Sequence, residues 1–484
     1  MRGLINFQII SRIISTNLFI VSGALASCVI ISIVYKESYM PFALSSFIGF
    51  GMGLLFLFYS KYKKRDSITL NRKDAYLTVT LSWILLGLLG SLPYIFSGTI
   101  PSFINALFES ISGFTTTGSS ILTDIECLPK SILFWRSFTH WIGGIGIIVL
   151  VIIVMPTLQI GGYHLFTLES SLQDKIQPRI KSVGNRLLLI YLGLTALEII
   201  FLLFGGMNLF ESTCHAFGTI ATGGFSPKNT SIGGYPAYIQ YVIMLFMFLS
   251  GSNFIIHYYI VKRKLKKVRK NEEFKFYVLV VLVIGLIITS ILFFKMHKPL
   301  EEAFRESFFQ VISIVTCTGY ATADYLLWPT IAWVIIFFAM FLGGSTGSTA
   351  GGIKIVRHLI VFKNLSRIIK KTISIHAVIP IRLNKNSLTE ESNASILSFI
   401  AVYFVVFLSG SMLLILLGID GKTASSSVAT CMAGIGPGIG SVGPASNFAH
   451  LPDVAKVILS FLMLVGRLEI YTVLALFSKS FWRK

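Results

Sequence analysis

The sequence predicts an all-α polytopic membrane protein, in which an N-terminal helix pair precedes four repeats of helix, short helix and helix in a pseudo-fourfold arrangement. Three observations predict this fold. Hydrophobic residues make up 54% of the 484 residues and charged residues 13%, with a mean hydropathy of +0.77. Several apolar runs approach twenty residues, the length that crosses a bilayer. Short polar segments centred on glycine recur at intervals of about a hundred residues.

The first unit, residues 1–73, contains apolar runs at about 13–35 and 41–60, which predict a transmembrane hairpin and a cytoplasmic loop. Leu25-Ala26-Ser27-Cys28 resembles a lipoprotein cleavage box, so a removed signal is the alternative. We favour an uncleaved helix, because the next apolar run begins almost at once, at Pro41.

Four further units follow, and each combines an outer helix, a segment too short to cross the bilayer and an inner helix. Glu-Ser pairs precede the glycine-centred segments of the first three units at Glu109, Glu211 and Glu306, whereas the fourth unit has diverged. These glutamates either brace the short helices or face outer water. The predicted boundaries are residues 74–183 for repeat 1 (helices Ala75 to Phe96 and Leu133 to Pro156, short segment Ser102 to Gly118), 184–272 for repeat 2, 273–391 for repeat 3 and 392–484 for repeat 4.

The 41 basic residues exceed the 21 acidic ones, for a net charge of +20. They cluster in connecting loops, and the positive-inside rule makes those loops, and with them both termini, cytoplasmic. The charge therefore reflects topology and contact with anionic membrane lipids, not nucleic acid. The basic loops are residues 61–73, 175–186, 262–270 and 363–371.

The sequence lacks the cysteine and nucleotide-binding motifs that would indicate several other functions. The five cysteines are isolated, which predicts neither a disulfide framework nor a transition-metal site. The glycine-rich stretch Gly347 to Lys354 lacks the Gly-Lys-Ser/Thr ending of a phosphate-binding loop. We predict no enzyme activity and no covalently bound cofactor.

Four glycines, Gly118, Gly223, Gly319 and Gly436, are predicted to lie in register. Non-helical backbone at membrane depth leaves carbonyls unpaired, which is tolerated only where the backbone lines water or binds an ion. Glycine allows left-handed dihedrals, and neutral backbone oxygens can replace the hydration shell of K⁺. We predict four helix–pore helix–helix repeats around one pore with potassium at the filter. The predicted filter residues are Thr116, Thr117, Gly118, Ala221, Thr222, Gly223, Cys317, Thr318, Gly319, Ile435, Gly436 and Pro437.

The segments Thr115 to Ser119, Ala221 to Ser226, Thr318 to Tyr325 and Gly436 to Gly440 resemble the filter signatures of the Trk/Ktr/HKT potassium-transporter superfamily. The N-terminal hairpin makes the resemblance closest to the TrkH/TrkG branch. It implies uptake of K⁺ across the bacterial inner membrane by a symmetric homodimer with one pore in each subunit. It also implies a cytoplasmic TrkA/KtrA-type partner subunit, through which alone a nucleotide acts.

A second glycine-rich stretch, Gly343 to Gly352, interrupts the inner helix of repeat 3. Each interior glycine costs about 1 kcal/mol relative to alanine, so this stretch is expected to unwind, although a close-packing glycine patch is the alternative. Arg467 is an ionisable residue in an apolar span, with Glu469 as a candidate counter-charge. The resemblance implies a gating loop and a pore arginine, with gate residues Gly343, Gly344, Gly347, Gly351, Gly352, Lys354 and Arg467.

Two other functions remain as alternatives. A proton- or sodium-coupled potassium symporter would also use broken helices, but that class usually shows a midplane carboxylate, and no obvious intramembrane acid faces the filters here. A receptor or scaffold is disfavoured, because only short basic loops leave the membrane. The scattered histidines His140, His164, His215 and His257 are interpreted as packing residues.

Overall fold

A computed structural model describes residues 5–62, 71–149, 176–374 and 376–483, and its helices confirm the predicted fold class. The predicted inner helix of repeat 1 begins at Lys130 and is described to Val149, so its end at Pro156 lies outside the described residues. The same holds for His164 and for Lys63, Lys64, Arg65 and Lys175 of the basic loops. The helices are α1 (Phe7–Val34), α2 (Met40–Tyr62), α3 (Arg72–Phe96), α4 (Phe103–Phe114), α5 (Lys130–Val149), α6 (Ile176–Phe204), α7 (Leu209–Ile220), α8 (Ala237–Gly251), α9 (Phe254–Val261), α10 (Leu265–Lys270), α11 (Glu272–Met296), α12 (Leu300–Val315), α13 (Thr330–Ala339), α14 (Ile355–Ile373), α15 (Glu390–Leu416), α16 (Gly421–Ala433), α17 (Asp453–Arg467), α18 (Ile470–Phe477) and α19 (Lys479–Trp482).

Helices α1 and α2 form the predicted hairpin and pack along their length through small residues. The hydroxyl of Ser15 donates to the carbonyl oxygen of Gly53 over 2.8 Å, and that of Ser46 donates to Ser22 over 2.9 Å. Gly49 lies so close to α1 that a Cβ placed there would be 2.5 Å from the Ser22 hydroxyl. Close backbone approach through Gly and Ser is a common mode of helix association in membranes.

Each of the four repeats contains one short, largely buried helix between two longer elements. The short helices α4, α7, α12 and α16 contain 12, 12, 16 and 13 residues. At a rise of 1.5 Å per residue they extend about 18–24 Å, less than the roughly 30 Å hydrocarbon core of a bilayer. The outer helices are α3, α6, α11 and α15, and the inner helices begin at α5, α8, α13 and α17.

Inner helices are interrupted in the second, third and fourth repeats. Helices α8 and α9 meet at a bend of 103°, and α17 and α18 at a bend of 115°. Helix α13 ends at Ala339, and the basic helix α14 begins after the glycine-rich stretch, as predicted. Within the described residues, six helices are long and apolar enough to span a membrane, or up to eight if each bent pair is one span.

The buried apolar residues form two large clusters. One joins the hairpin to repeats 1 and 4, and the other joins repeats 2 and 3. A two-stranded antiparallel hairpin, β1 (Arg382–Leu383) with β2 (Asn386–Ser387), lies in the connection between α14 and α15 and was not predicted. Buried residues of α4 and α16 belong mainly to the first cluster, and those of α7 and α12 to the second.

Candidate functional site

The four short helices end in the same backbone turn. One residue near each helix end adopts a left-handed conformation, and two residues later a glycine does so again. Three of the first set are not glycine, and such residues rarely adopt positive φ, so a shared constraint acts on all four turns. The φ angles are 52° at Thr116, 54° at Thr222, 57° at Cys317 and 71° at Gly434, then 82° at Gly118, 80° at Gly224, 83° at Gly319 and 98° at Gly436.

The predicted register is therefore wrong by one residue in the second repeat. Gly224, and not Gly223, has the left-handed conformation that matches Gly118 and Gly319. Helices α4, α7 and α12 each end four residues before this glycine. Two adjacent glycines made both alignments acceptable from the sequence, and only the position of the helix end decides between them.

The four turns contact one another in a closed ring. The second left-handed residue of each turn is a glycine, and a Cβ placed on it would meet the carbonyl oxygen of the residue that precedes the matching glycine in the next repeat. The order runs from repeat 1 to 2, 2 to 3, 3 to 4 and back to 1, which places all four turns around one axis. The contacts are Gly118 with Gly223, Gly224 with Thr318, Gly319 with Ile435, and Gly436 with Thr117. We call residues 116–118, 222–224, 317–319 and 434–436 the carbonyl ring.

Eight backbone oxygens of the carbonyl ring lack hydrogen-bond donors within the described part of the chain, whereas the Gly436 carbonyl accepts from the Ser119 hydroxyl over 3.2 Å. Among the described residues, no donor reaches the carbonyls of Thr116, Thr117, Thr222, Gly223, Cys317, Thr318, Gly434 and Ile435. Buried carbonyls are nearly always paired, so two unpaired oxygens from each quarter of one ring indicate a position for a cation.

Threonine hydroxyls hold two of the turns. In repeat 1, the Thr115 and Thr117 hydroxyls are 2.8 Å apart, and Thr115 donates to the carbonyl of Ile111 over 2.6 Å. Thr316 and Thr318 repeat the first distance in repeat 3. These side chains stabilise the turns from behind, which leaves the backbone oxygens available.

A cavity of about 190 Å³ lies at one end of the carbonyl ring. It is lined by Gly118, Gly224, Gly319 and Gly436, together with residues that follow them such as Ser120, Ser231 and Ala445. Asn229, which also lines it, donates from its side-chain amide to Asp124 over 3.0 Å, and this bond lowers the pKa of the exposed Asp124 carboxyl. The cavity is therefore large enough for water molecules or an ion to reach the carbonyl ring from this end.

A loop of residues 343–354, here the glycine loop, lies at the opposite end. Left-handed glycines at 343, 347 and 352 unwind it. Its Thr349 hydroxyl donates to the carbonyl of Ile220, the last residue of α7, over 3.0 Å. A Cβ on Gly351 would overlap the carbonyl oxygen of Ala433 at the end of α16. The glycine loop thus covers the carboxyl ends of two short helices.

Comparison with known proteins gives the family. A family model described as TrkH, cation transport protein, matches residues 45–484. This chain belongs to the TrkH family. The Trk system potassium uptake protein TrkH of Salmonella typhimurium is 35% identical over 489 residues, covering 99% of this chain and 100% of that protein. TrkG of Escherichia coli is 36% identical over 433 residues, 87% of each chain.

A solved structure extends the similarity to the fold. The crystal structure of the potassium transporter TrkH from Vibrio parahaemolyticus matches with a TM-score of 0.91 and 32% identity, covering 99% of this chain and 100% of that chain. Membership in the TrkH family confirms the resemblance seen in the four segments. It also confirms the prediction of a transport function and not a catalytic one.

Arg467 connects the glycine loop to two inner helices. Its guanidinium donates to the carbonyl of Thr349 over 2.8 Å and to that of Gly143 in α5 over 3.4 Å, and it is buried. Glu469 is not its counter-charge, because Glu469 pairs with Arg357 of α14 at 2.9 Å. All predicted gate residues other than Arg467 belong to the glycine loop, in which the Lys354 ammonium bonds the Ala350 carbonyl.

The question left open about Glu109 is answered by its contacts. Glu109 forms a buried ion pair of 2.6 Å with Arg136 of α5 and accepts from the backbone N–H of Ile121 over 2.9 Å. Arg136 also donates to the carbonyl of Ser226 over 3.0 Å. Glu109 therefore braces the first turn from behind, and Arg136 extends the brace to the second.

Glu211 and Glu306 have other partners than Glu109, and Glu211 is partly exposed whereas Glu306 is buried. The Glu211 carboxylate accepts from the Tyr235 hydroxyl over 2.8 Å, and Glu306 pairs with Lys298 at 2.8 Å. His140 is a hydrogen-bonded packing residue, as interpreted, with its Nδ1 2.9 Å from the carbonyl of Gly113. Its Nε2 accepts from the backbone N–H of Phe225, so the imidazole of His140 connects the turns of repeats 1 and 2.

Two features escaped the sequence analysis. The bends after Gly251 and Arg467 were not predicted, although Gly251-Ser252-Asn253 is a run of weak helix formers that could have indicated the first. Glu198, which is fully buried in α6, was not singled out either. The available signal for Glu198 was a single acidic residue within an apolar run.

Proposed function

We propose that this chain takes up K⁺ across the bacterial plasma membrane through a gated, channel-like pore with the carbonyl ring as its selectivity filter. One observation carries the proposal: four turns close around one axis, and eight of their carbonyl oxygens have no hydrogen-bond donor among the described residues. The names of the Salmonella and Vibrio relatives, which describe potassium uptake and potassium transport, support the choice of ion.

The chemistry of the ring supports a monovalent ion. Its ligands are neutral peptide oxygens, and no carboxylate belongs to residues 116–118, 222–224, 317–319 or 434–436. Divalent cations usually recruit carboxylates, whereas K⁺ gives up its hydration shell to carbonyl oxygens. The short helices also end at the ring, so the negative ends of four helix dipoles stabilise a cation there.

The glycine loop and Arg467 form the gate in this proposal. The loop covers the carboxyl ends of α7 and α16, and a buried guanidinium beside it opposes passage of a cation. Opening requires the loop to leave Arg467 and Gly251. The Arg467 guanidinium donates to the Thr349 carbonyl over 2.8 Å, and the Ser345 N–H donates to the Gly251 carbonyl over 2.8 Å. Such a change is a two-state rearrangement of one loop.

Regulation and assembly follow from the family resemblance. We propose a homodimer with one pore in each subunit, and a cytoplasmic nucleotide-binding partner of the TrkA/KtrA type that moves the glycine loop. Basic residues of α10 and α14 place positive charge at the predicted cytoplasmic face, with both termini. No nucleotide binds this chain directly in the proposal.

Flux through purified protein in liposomes tests the proposal. Under a clamped inside-negative potential, ⁸⁶Rb⁺ or K⁺ influx should continue with equal pH and Na⁺ on both sides, because 100 mV supplies about 2.3 kcal/mol per charge. Influx that follows the potential and excludes Na⁺ supports the channel-like pore. Equal K⁺ and Na⁺ flux would contradict the assigned filter.

A proton-coupled potassium symporter is the second candidate, and one observation favours it. Buried Glu198 is a group that could carry a proton within the membrane. Influx that stops when the pH gradient collapses, at a constant potential, would support this candidate and overturn the first. Influx that stops only without a Na⁺ gradient would support sodium coupling.

A further inference from the structure

Glu198 lies in α6 with its side chain fully buried, and among the described residues neither of its carboxyl oxygens has a hydrogen-bond partner. Nor does any described cation lie within ion-pair distance. An ionised carboxylate in such a place costs several kcal/mol or more, and proteins avoid that cost by pairing it or by keeping it protonated.

The donors around Glu198 are already used. Thr219 of α7 and Tyr320, which follows Gly319, lie beside it. The Thr219 hydroxyl donates to the carbonyl of His215 over 2.8 Å, and the Tyr320 hydroxyl lies 3.1 Å from the same carbonyl and 3.2 Å from that of Phe225. Each hydroxyl has a single hydrogen, so both offer only lone pairs to Glu198. A carboxylate gains nothing from lone pairs, whereas a carboxylic acid can donate to one.

We propose that Glu198 is a proton-binding site, occupied at neutral pH, behind the seam between the second and third turns of the carbonyl ring. The seam is the pair of bonds from Tyr320 to α7 and to Phe225, which follows Gly224. When the proton leaves at alkaline pH, the carboxylate attracts the hydroxyl hydrogens of Thr219 and Tyr320. The backbone carbonyls lose those donors, and the seam weakens.

No other charged group near Glu198 accounts for its charge state. The ionisable side chains on the described elements packed around α6 include Arg136 and His140 on α5, Glu211, Cys214 and His215 on α7, Tyr238 and Tyr241 on α8, His257, Tyr258 and Tyr259 on α9, and Tyr320. Arg136 is engaged by Glu109, and His215 by the carbonyl of Glu211 and the Ser226 hydroxyl. Tyr238 donates to the carbonyl of Phe201, and none of these side chains forms an ion pair or hydrogen bond with Glu198.

Infrared spectroscopy of the full chain in lipid tests the site without any transport measurement. At neutral pH the wild type should show the carbonyl stretch of a protonated carboxylic acid, shifted in D₂O, and Glu198→Gln should lose that band. The matched control Glu302→Gln removes an acid that is ion-paired with Lys298 at 2.8 Å, so it should lose carboxylate bands instead. Loss of carboxylate bands in Glu198→Gln would overturn the proposal.

A titration of the wild type keeps the test independent of how the variant folds. The protonated band should disappear as the pH is raised into the alkaline range, and its absence at neutral pH would by itself contradict the site. The transport consequence rests on the proposed function: discrimination of K⁺ over Na⁺ should fall at alkaline pH in the wild type but not in Glu198→Gln. A band that titrates without any change in discrimination would retain the proton site and reject its link to the filter.

Discussion

The guanidinium of Arg467 donates to the carbonyl oxygen of Thr349 over 2.8 Å, and so connects the inner helix of the fourth repeat to the glycine loop of the third. The same side chain reaches Gly143 in the first repeat. One buried cation thus joins three of the four repeats at the end of the carbonyl ring where the glycine loop lies.

Replacing Arg467 with alanine should increase K⁺ influx in the absence of a partner subunit. The change removes a positive charge from the pathway and a charged hydrogen bond from the loop, worth about 1.5–3 kcal/mol, which shifts a two-state equilibrium about tenfold or more. ⁸⁶Rb⁺ influx into proteoliposomes measures it. Arg186→Ala, which removes an exposed contact with Tyr258, is the control and should leave influx unchanged. Unchanged influx in Arg467→Ala would count against the gate.

Gly118→Ser should reduce discrimination between K⁺ and Na⁺. Gly118 has a φ of 82°, and any Cβ there overlaps the carbonyl oxygen of Gly223, so a side chain must displace a ring oxygen. Gly193→Ser in α6 is the matched control, because no atom lies within 4 Å of the added carbon. Relative Rb⁺ and Na⁺ influx measures the effect. Identical ratios in both variants would mean that this turn does not select.

Removing Arg136 should destabilise the protein strongly. The Arg136 and Glu109 side chains are 3% and 0% exposed, and leaving one buried charge unpaired costs about 3–5 kcal/mol. The fall in melting temperature for Arg136→Met should therefore exceed half the fall for the double variant Arg136→Met with Glu109→Gln. Only the single variant leaves a buried charge unpaired. The exposed pair Lys228 with Glu126, at 3.9 Å, is the control and should contribute about 0–1 kcal/mol. Equal effects of the two pairs would contradict the brace.

Gly49→Val should weaken the N-terminal hairpin, whereas Gly51→Val should not. A Cβ at Gly49 would be 2.5 Å from Ser22 Oγ and 2.6 Å from a Leu89 methyl carbon, while nothing lies within 4 Å at Gly51. Overpacking of this kind costs about 1–3 kcal/mol. Thermal unfolding in detergent compares the two variants. A lower melting temperature for Gly51→Val than for Gly49→Val would reject the packing.

The repeat architecture was predictable because each repeat has its own local signals. Apolar runs of span length, a short helix and a glycine-centred segment recur in order, and the resulting helix bounds agree closely, for example Arg72–Phe96 against the predicted Ala75 to Phe96. The glycine loop was also predictable, since five glycines in ten residues cannot continue a helix.

Other features depend on contacts between distant residues. The choice of Gly224 over Gly223 depends on where α7 ends, and both glycines satisfy local rules equally well. Glu109 and Arg136 are 27 residues apart, and their pairing requires the packing of α4 on α5. The bend after Gly251 is stabilised by the Ser345 N–H, which belongs to another repeat.

A ring drawn from one polypeptide permits an inequality that four identical subunits forbid. In a homotetramer one gene encodes all four subunits, so every substitution appears in all four quarters of the ring. A bulky loop or a fixed positive charge would then occur four times. Here the loop occurs in the third quarter and the arginine in the fourth, while all four turns keep the same backbone geometry. Duplication within a single chain therefore lets the loop and the arginine change separately from the carbonyl oxygens that bind the ion in the proposed function.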